Sequence, residues 1–231
     1  MNKIYYKYKS IRDLIDLDRI LDIINNKRIY MPSFDELNDP FESYLVNFKL
    51  SYSGSSIIEE IGERPSIVDE IFKSYGILSL TDNCRNQTMW ASYSNMYKGI
   101  CLGFVNLPKV KPIKYIKQTK KIPELDLENE TKIKKEDIEK ILMSKYTNWK
   151  YEQEYRMLSK EKFYNIDKHL KMIIIGHRID EHIKEMLYRE CINNNIEVYT
   201  TYIDYIKNRI IIKKYPFNIE YNSKEIDDDL N

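Results

Sequence analysis

The stretch Trp149-Lys-Tyr-Glu-Gln-Glu-Tyr-Arg-Met-Leu158 decides how the rest of the chain is interpreted. It places Glu152 and Glu154 two residues apart, with aromatic side chains and Arg156 around them. In a β-strand, residues i and i+2 point to the same face, so both carboxylates are predicted to share one face with Arg156. Like charges on one face raise each other's pKa unless a cation compensates them. The stretch therefore predicts a strand that forms the floor of an active site. The alternative is an exposed strand face whose glutamates pair with lysines on a neighbouring strand.

The length and composition of the chain indicate how many domains it contains. The chain has 231 residues, of which 42% are hydrophobic and 32% charged. That length and apolar content suit one globular domain with a sizeable core. A charged segment over about 109–146 is interpreted as an insertion before the Trp149 stretch. It includes a polar helical pattern whose narrow apolar stripe consists of Ile133, Ile138, Ile141 and Leu142. We expect one domain over residues 1–221 with that insertion, followed by an acidic disordered tail over 222–231.

Charge and cysteine usage exclude several classes of protein. Lys and Arg number 37 against 36 Asp and Glu, so no global field attracts nucleic acid or an acidic membrane. No apolar run reaches membrane-spanning length, and the first residues lack the apolar core of a signal peptide. The three cysteines are widely spaced, which favours a reducing compartment over a disulfide framework. We therefore expect a cytoplasmic protein without a membrane partner.

The histidines do not predict a metal site. His169, His177 and His182 all lie late in the chain, and the spacing of the last two does not stack them on one helix face. The pattern therefore predicts no metal bound through histidine.

Apolar periodicity predicts the fold class. Ser10 with Asp13 resembles a capping box at the start of a helix, and Ser79 and Thr81 lie on one face of an apolar strand. The predicted elements are a strand over 3–9, a helix over about 11–25, strands over 75–81, 99–105 and 172–176, a helix over 180–194, and strands over 197–202 and 209–213. In the strand over 99–105, which is predicted to be buried, Gly99 leaves room for close backbone approach, and Cys101 is interpreted as a small core residue. This mixed order of elements predicts an α+β fold with mixed, mostly antiparallel sheets and flanking helices.

The segment Asn38-Asp-Pro-Phe-Glu42 predicts a turn. The residue before a proline avoids the helical region, and Asx side chains close their own turns. Phe41 is predicted to anchor this corner in the core. Asp39 is interpreted as a structural corner residue, with a catalytic role as the alternative.

Four segments together resemble a bacterial family catalogued as domain of unknown function 2971 (DUF2971). The segments, in chain order, are Tyr6-Lys-Tyr-Lys-Ser10, Phe34 with Asn38-Asp-Pro-Phe-Glu42, Ser79-Leu-Thr81 with Met89-Trp-Ala-Ser-Tyr93 and Lys98-Gly-Ile-Cys101, and Trp149-Lys-Tyr-Glu-Gln-Glu-Tyr-Arg156. They span roughly residues 4 to 176. This resemblance implies a bacterial protein but no function, because the family name assigns none.

The layout of the chain also resembles the ADP-ribosyltransferase fold. The shared features are an early strand followed by a helix, a middle strand that bears hydroxyls, and a late strand with a glutamate in Glu-x-Glu. In that fold the late glutamate hydrogen-bonds the nicotinamide-side ribose of NAD. The resemblance implies Glu154 in that role, with Glu152 nearer the acceptor.

The same resemblance implies residues that bind NAD on the other strands. Ser79 and Thr81 match the strand that bears hydroxyls, and Tyr8 matches the first-strand ligand of the adenosine-side ribose. Where the fold has an arginine or histidine on the first strand, this chain has Tyr8 or Lys9.

The chemistry of NAD cleavage fits the surrounding residue types. Breaking the nicotinamide–ribose bond passes through an oxocarbenium-like state, which a fixed carboxylate stabilises. Trp90, Tyr93 or Trp149 would stack on nicotinamide and exclude water. Arg156 would hold the carboxylate of Glu154 ionised or take a phosphate of NAD.

Three functions compete. In the first, which the resemblance to the ADP-ribosyltransferase fold implies, the protein is an NAD-dependent ADP-ribosyltransferase, a toxin or antiphage effector that modifies a nucleic acid or a protein. In another, it is a non-enzymatic binding module, and the glutamates are structural partners of Arg156 and Lys98.

The third function is a nuclease-like hydrolase. Here Asp39, Glu42, Glu152 and Glu154 gather a magnesium ion. Nucleases of this kind usually combine carboxylates with a lysine. That pattern is only half met here, because the only lysine near the two glutamates in sequence is Lys150.

Overall fold

The protein has a mixed α+β fold whose largest sheet contains eight strands. The structure is a computed structural model that describes residues 3–40, 46–49, 66–117, 122–126 and 134–216. The predicted tail over 222–231 and the predicted core anchor Phe41 lie outside the described residues. Among the helices in the described ranges, none is both long and apolar enough to cross a membrane.

The secondary structure elements are numbered in chain order. They are β1 (Ile4–Lys9), α1 (Leu14–Asn26), β2 (Arg28–Tyr30), β3 (Val46–Lys49), α2 (Ser66–Lys73), β4 (Gly76–Thr81), α3 (Gln87–Tyr93), β5 (Ile100–Val105), β6 (Lys111–Pro112), β7 (Lys114–Ile116), β8 (Ile122–Asp126), α4 (Lys135–Leu142), β9 (Ser144–Tyr146), β10 (Glu154–Ser159), β11 (Phe163–Asn165), β12 (Leu170–Ile175), α5 (Glu181–Asn193), β13 (Glu197–Asp204) and β14 (Arg209–Lys214). Short 3-10 helices cover Phe34–Glu36 and Thr147–Glu152.

The eight strands lie in the order β14-β13-β12-β5-β1-β4-β10-β6. Antiparallel pairing joins β1 to both β4 and β5, β5 to β12, β13 to β14, and β6 to β10. The pair β12–β13 is parallel, with α5 as the connection between the two strands. The prediction of an α+β class with mostly antiparallel strands is confirmed.

The start of α1 differs from its prediction. Asp13 caps the helix, because its side chain accepts a hydrogen bond from the backbone N–H of Asp16 at 2.8 Å. Ser10 instead donates to the carboxylate of Asp16, so it is not a member of a capping box. The helix consequently starts at Leu14, whose side chain remains 75% exposed.

The chain divides into two compact units. Unit 1 comprises residues 1–29, 80–108 and 165–231, and unit 2 comprises residues 30–79 and 109–164. Strand β4 contributes Gly76–Ser79 to unit 2 and its last two residues to unit 1. The predicted insertion over 109–146 belongs to unit 2 together with the Trp149 stretch.

The core of unit 1 contains an aromatic cluster around Trp90. Tyr8 and Cys101 are buried in this cluster, which confirms that Cys101 is a small core residue. Gly99 lets two backbones approach closely here, because a Cβ on it would lie 2.1 Å from the carbonyl oxygen of Lys9. These contacts fix the end of β1 against the start of β5.

The core of unit 2 lies against α4. The predicted apolar stripe on this helix is buried at Ile138, Ile141 and Leu142. Phe34 and Phe72 stack in the same cluster with ring centroids 5.0 Å apart. Strand β9 follows α4 directly, and the side chain of its middle residue enters the site described next.

Candidate functional site

Four charged side chains form a buried network in unit 2. Lys145 comes from β9, Glu152 ends the 3-10 helix, and Glu154 and Arg156 lie on β10. Their exposed fractions lie between 1% and 5%. Charged residues are almost never fully buried unless they are paired, and here two cations face two anions. This network is the candidate functional site.

Glu154 and Arg156 form a bidentate ion pair along one face of β10. Arg156 Nε donates to Glu154 Oε1 at 2.7 Å, and Arg156 Nη2 donates to Glu154 Oε2 at 3.2 Å. Arg156 Nη1 donates to the carbonyl oxygen of Leu142 at 2.6 Å. The predicted i, i+2 sharing of one face by Glu154 and Arg156 is confirmed, and the guanidinium is fixed at all three nitrogens.

Lys145 is shared by the two carboxylates. Its Nζ lies 2.6 Å from Glu152 Oε2 and 3.2 Å from Glu154 Oε2. The same ammonium lies 4.8 Å from the centroid of the Trp149 ring, which adds a cation–π contact. The repulsion expected between the two glutamates is therefore relieved by one cation between them.

Ser79 and Tyr115 complete the surroundings of Glu154. Ser79, on the neighbouring strand β4, donates a hydrogen bond to the carboxylate. The backbone N–H of Glu154 donates to the Tyr115 hydroxyl at 2.8 Å. Burial raises the pKa of Tyr115 to about 12, so this hydroxyl is protonated at neutral pH. Of the predicted hydroxyl residues, Ser79 thus contacts Glu154.

The carboxylate of Glu154 is held in its ionised form. Burial by itself would raise the pKa of Glu154. The charges of Arg156 and Lys145, with hydrogen bonds from Arg156 and Ser79, outweigh burial and lower the pKa of Glu154 to about 2. A carboxylate with this pKa carries its full negative charge at neutral pH, as the stabilisation of a developing cation requires.

The prediction that Glu152 lies on the same strand as Glu154 is wrong. Glu152 ends the 3-10 helix, and Gln153 has a φ of 48°, in the left-handed region. The i, i+2 rule holds only for an extended chain, and this turn precedes the strand. The two carboxylates still converge, because both bind Lys145.

The 3-10 helix places two aromatic side chains beside the network. Trp149 is half-buried and Tyr151 is 37% exposed, with ring centroids 6.0 Å apart. Burial and the charge of Glu152 raise the pKa of Tyr151. We name Trp149 with Tyr151 the aromatic wall, and both rings are more exposed than the four buried charged residues.

The structure places other predicted site residues in unit 1. Tyr8 donates to the carbonyl oxygen of Asn83 at 2.9 Å, and the backbone N–H of Asn83 donates to Thr81 Oγ1 at 3.2 Å. Lys9 ends β1, and burial together with the charge of Arg19 lowers the pKa of Lys9. The hydroxyls of Tyr8 and Thr81 therefore meet at Asn83, a residue that the sequence patterns did not single out.

Trp90 and Tyr93 belong to the aromatic cluster of unit 1. Trp90 is completely buried, and its Nε1 donates to the carbonyl oxygen of Cys84 at 2.8 Å. It stacks on Tyr97 with centroids 5.7 Å apart and meets Tyr8 edge-on at 5.2 Å. Tyr93 packs against this cluster and is partly buried. Protein atoms thus cover Trp90 in this structure, whereas Trp149 reaches the surface of its unit.

Lys145 was missed by sequence reasoning, which considered Lys98 and Lys150. It precedes Glu152 by seven residues and Glu154 by nine, and an odd spacing would place it on the opposite face of an extended strand from the two glutamates. Its one signal is that it closely follows the apolar pair Ile141-Leu142, where the chain enters the core. Only the return of the chain through the 3-10 helix brings it to the carboxylates.

The magnesium alternative receives no support from the site. Glu42, one of its four proposed ligands, lies outside the described residues. Among the residues that the structure describes, no three His, Cys, Asp or Glu side chains gather in a group that would hold a metal ion. Asp39 is buried, and its charge contributes to raising the pKa of Tyr146. Glu152 and Glu154 are already compensated by an ammonium.

The lowered pKa of Glu154 predicts how stability changes with pH. The unfolded-state pKa is near 4.5 and the folded-state pKa is about 2, so the stabilisation is complete above about 4.5 and is lost as pH falls towards 2. It amounts to about 3 kcal/mol at neutral pH. We expect the gap in unfolding free energy between wild type and Glu154→Gln to shrink between pH 5 and about pH 2.5 in urea titrations. An equal difference in unfolding free energy at pH 5 and at about pH 2.5 would contradict an ionised Glu154 paired with Arg156.

A scan of family models matched none of them to this chain, and searches of curated proteins and of solved structures found no similar protein. The resemblances to the DUF2971 family and to the ADP-ribosyltransferase fold therefore stay predictions. Function has to be inferred from the residues of the site.

Proposed function

We propose that the protein is an NAD-consuming ADP-ribosyltransferase and that Glu154 is its catalytic carboxylate. The observation that carries this proposal is the state of Glu154: a buried, ionised carboxylate at the first position of β10, hydrogen-bonded by Ser79 of the neighbouring strand. A fixed negative charge in a site of low dielectric constant is what an oxocarbenium-like transition state requires.

The surroundings of Glu154 within unit 2 support the proposal. Ser79 belongs to the part of β4 that lies in unit 2, and its hydroxyl is hydrogen-bonded to the carboxylate of Glu154. The resemblance to the ADP-ribosyltransferase fold implies such a hydroxyl residue and such a glutamate in one site. A split-sandwich arrangement like that of the ADP-ribosyltransferases is part of this proposal.

Each residue of the site has a separate task in the proposed reaction. Arg156 orients Glu154 through its bidentate pair, and it keeps the carboxylate charged. Glu154 stabilises the ribosyl cation that forms as the bond to nicotinamide breaks. The resemblance implies that Glu152 lies nearer the acceptor than Glu154 does, and Trp149 provides an aromatic surface that stacks on nicotinamide. NAD is the substrate, and the acceptor is a nucleic acid or a protein.

The resemblance to the ADP-ribosyltransferase fold also implies residues that bind the rest of NAD. Tyr8 and Lys9 are the first-strand candidates, and Thr81 and Tyr93 are the others that the resemblance implies. A toxin or antiphage role would follow from depletion of NAD or from modification of an essential macromolecule.

The decisive experiment measures nicotinamide release from NAD by wild type, Glu154→Gln and Glu161→Gln. Glutamine keeps the shape of the side chain but removes the charge, so turnover should fall by about a hundredfold or more. Glu161 is an exposed carboxylate of the same unit, and its variant should keep wild-type turnover. Activity is expressed per folded molecule, because Glu154→Gln also weakens the pairing of Arg156 and lowers the melting temperature.

Two outcomes would reject the proposal. One is a wild-type protein that releases no nicotinamide with either RNA, DNA or cell-extract protein as acceptor. The other is a folded Glu154→Gln variant with wild-type turnover.

A non-enzymatic binding module is the second candidate, and one observation favours it. The carboxylate of Glu154 already accepts from Arg156, Lys145 and Ser79, which is close to the capacity of its two oxygens. On that reading the network is structural, and Glu154→Gln changes stability without any activity to lose. The same experiment therefore separates the two candidates.

A further inference from the structure

The ammonium of Lys145 lies in surroundings that suit a cation from outside the chain. Two carboxylates contact it at 2.6 Å and 3.2 Å, and the Trp149 ring lies 4.8 Å away. Carboxylates with an aromatic face are the groups by which proteins recognise organic cations. We name the set formed by Glu152, Glu154 and Trp149 the cation cage.

We infer that the cation cage binds a cationic pyridinium ring, and that Lys145 occupies the cage in the ligand-free protein and leaves when the ring enters. The identity of the natural ligand, the oxidised nicotinamide ring of NAD, rests on the function proposed above. The recognition of a planar aromatic cation does not rest on that function, and it is tested by a separate experiment.

The two cations of the network differ in their freedom to leave. Arg156 is fixed by its bidentate pair with Glu154 and by the carbonyl oxygen of Leu142. Lys145 has a flexible four-carbon chain that ends in a compact point charge, and an ammonium binds with less geometric demand than a guanidinium. A competing cation therefore displaces Lys145, while Arg156 keeps Glu154 in place.

The aromatic wall argues for a ring rather than for a small cation. Trp149, a member of the cage, is half-buried, and the neighbouring Tyr151 is 37% exposed. A flat ring that enters along this wall gains contact with an aromatic face, whereas a metal ion or a simple ammonium gains little there.

The cage would make NAD distinguishable from its reduced form. The oxidised nicotinamide ring carries a positive charge, and the dihydropyridine ring of NADH does not. When the bond between ribose C1′ and the ring nitrogen breaks, its electron pair goes to the ring and the positive charge passes to the ribosyl carbon. Nicotinamide leaves neutral, so the carboxylates lose their ligand cation and Lys145 returns.

Chemical rescue of Lys145→Ala tests the inference. This variant leaves the two carboxylates with less compensation and should melt well below wild type. The cation 1-methylnicotinamide should raise its melting temperature far more than neutral nicotinamide does, and more than it raises that of wild type. Lys150→Ala removes an exposed lysine of the same 3-10 helix and should show no such preference.

A second measurement does not depend on the folding of Lys145→Ala. Wild type should bind 1-methylnicotinamide at least about tenfold more tightly than nicotinamide, since a cation–π contact in a desolvated site with carboxylates is worth more than about 1.4 kcal/mol. Replacing Trp149 by leucine should reduce this preference. Equal binding of the two compounds by wild type, or equal rescue of the variant, overturns the inference.

The two measurements test the cation cage and the transferase activity independently. A preference for the cation without release of nicotinamide from NAD supports the cage and rejects the transferase. Release of nicotinamide without a preference for the cation supports the transferase and rejects the cage.

Discussion

Replacing Arg156 by methionine should lower the free energy of unfolding by about 3–5 kcal/mol, as expected when one partner of a buried ion pair is removed. Arg156 is 1% exposed and donates three hydrogen bonds, two to Glu154 and one to Leu142. Methionine fills similar space but leaves the carboxylate of Glu154 buried with less compensation. The measurement is urea unfolding at neutral pH, with the slope checked for two-state behaviour.

An exposed ion pair of the same unit is the control for Arg156→Met. Lys140 contacts Asp137 at 2.8 Å, and its side chain is 62% exposed. Lys140→Met should cost only about 0–1 kcal/mol. The double variant Glu154→Gln with Arg156→Met should lose less stability than the sum of the single variants, because it removes both charges. If Arg156→Met costs no more than Lys140→Met, the buried network does not hold unit 2 together.

Trp90→Ala should also cost about 3–5 kcal/mol, the range measured for large aromatic residues cut to alanine in a core. The ring is completely buried, stacks on Tyr97 and lies edge-on to Tyr8. Truncation would also remove the donor for the carbonyl oxygen of Cys84. Thermal and urea unfolding of the full chain measure this loss.

Two control variants show whether Trp90 acts as a core residue or as a ligand-binding residue. Tyr205, 86% exposed in unit 1, is the control, and Tyr205→Ala should change stability by less than about 0.5 kcal/mol. Trp90→Phe keeps an aromatic ring and should recover part of the loss. A Trp90→Ala protein that melts like wild type but fails to bind NAD would assign Trp90 to a ligand site instead of the core.

Local patterns predicted a large part of the fold. The apolar stripe of α4 was predicted from its period, as were the buried strand with Cys101 and the close approach at Gly99. The shared face of Glu154 and Arg156 followed from their spacing in a strand. Each of these features depends on residues a few positions apart, so the period of the backbone is enough to determine it.

Features that depend on chain reversal were not predictable in this way. The cap of α1 moved from Ser10 to Asp13, because a cap depends on the backbone angles of one residue. Glu152 left the predicted strand because Gln153 adopts a left-handed conformation. A change in the backbone angles of one residue alters the direction of the chain after it, and the periodicity of apolar residues does not predict such a change.

The sequence by itself determined the longer strands and helices, such as β1, β4, β5, β12 and α5, and the shared face of Glu154 and Arg156, since each follows from the geometry of a single strand or helix. Only the tertiary structure decided that Lys145 joins the two carboxylates, that Ser79 meets Glu154, and that Trp149 lies over the ammonium. Such contacts form between separate elements. Burial there excludes water, so the interaction energy of two charges is large and depends on the distance between them in space. Separation along the chain does not control that energy.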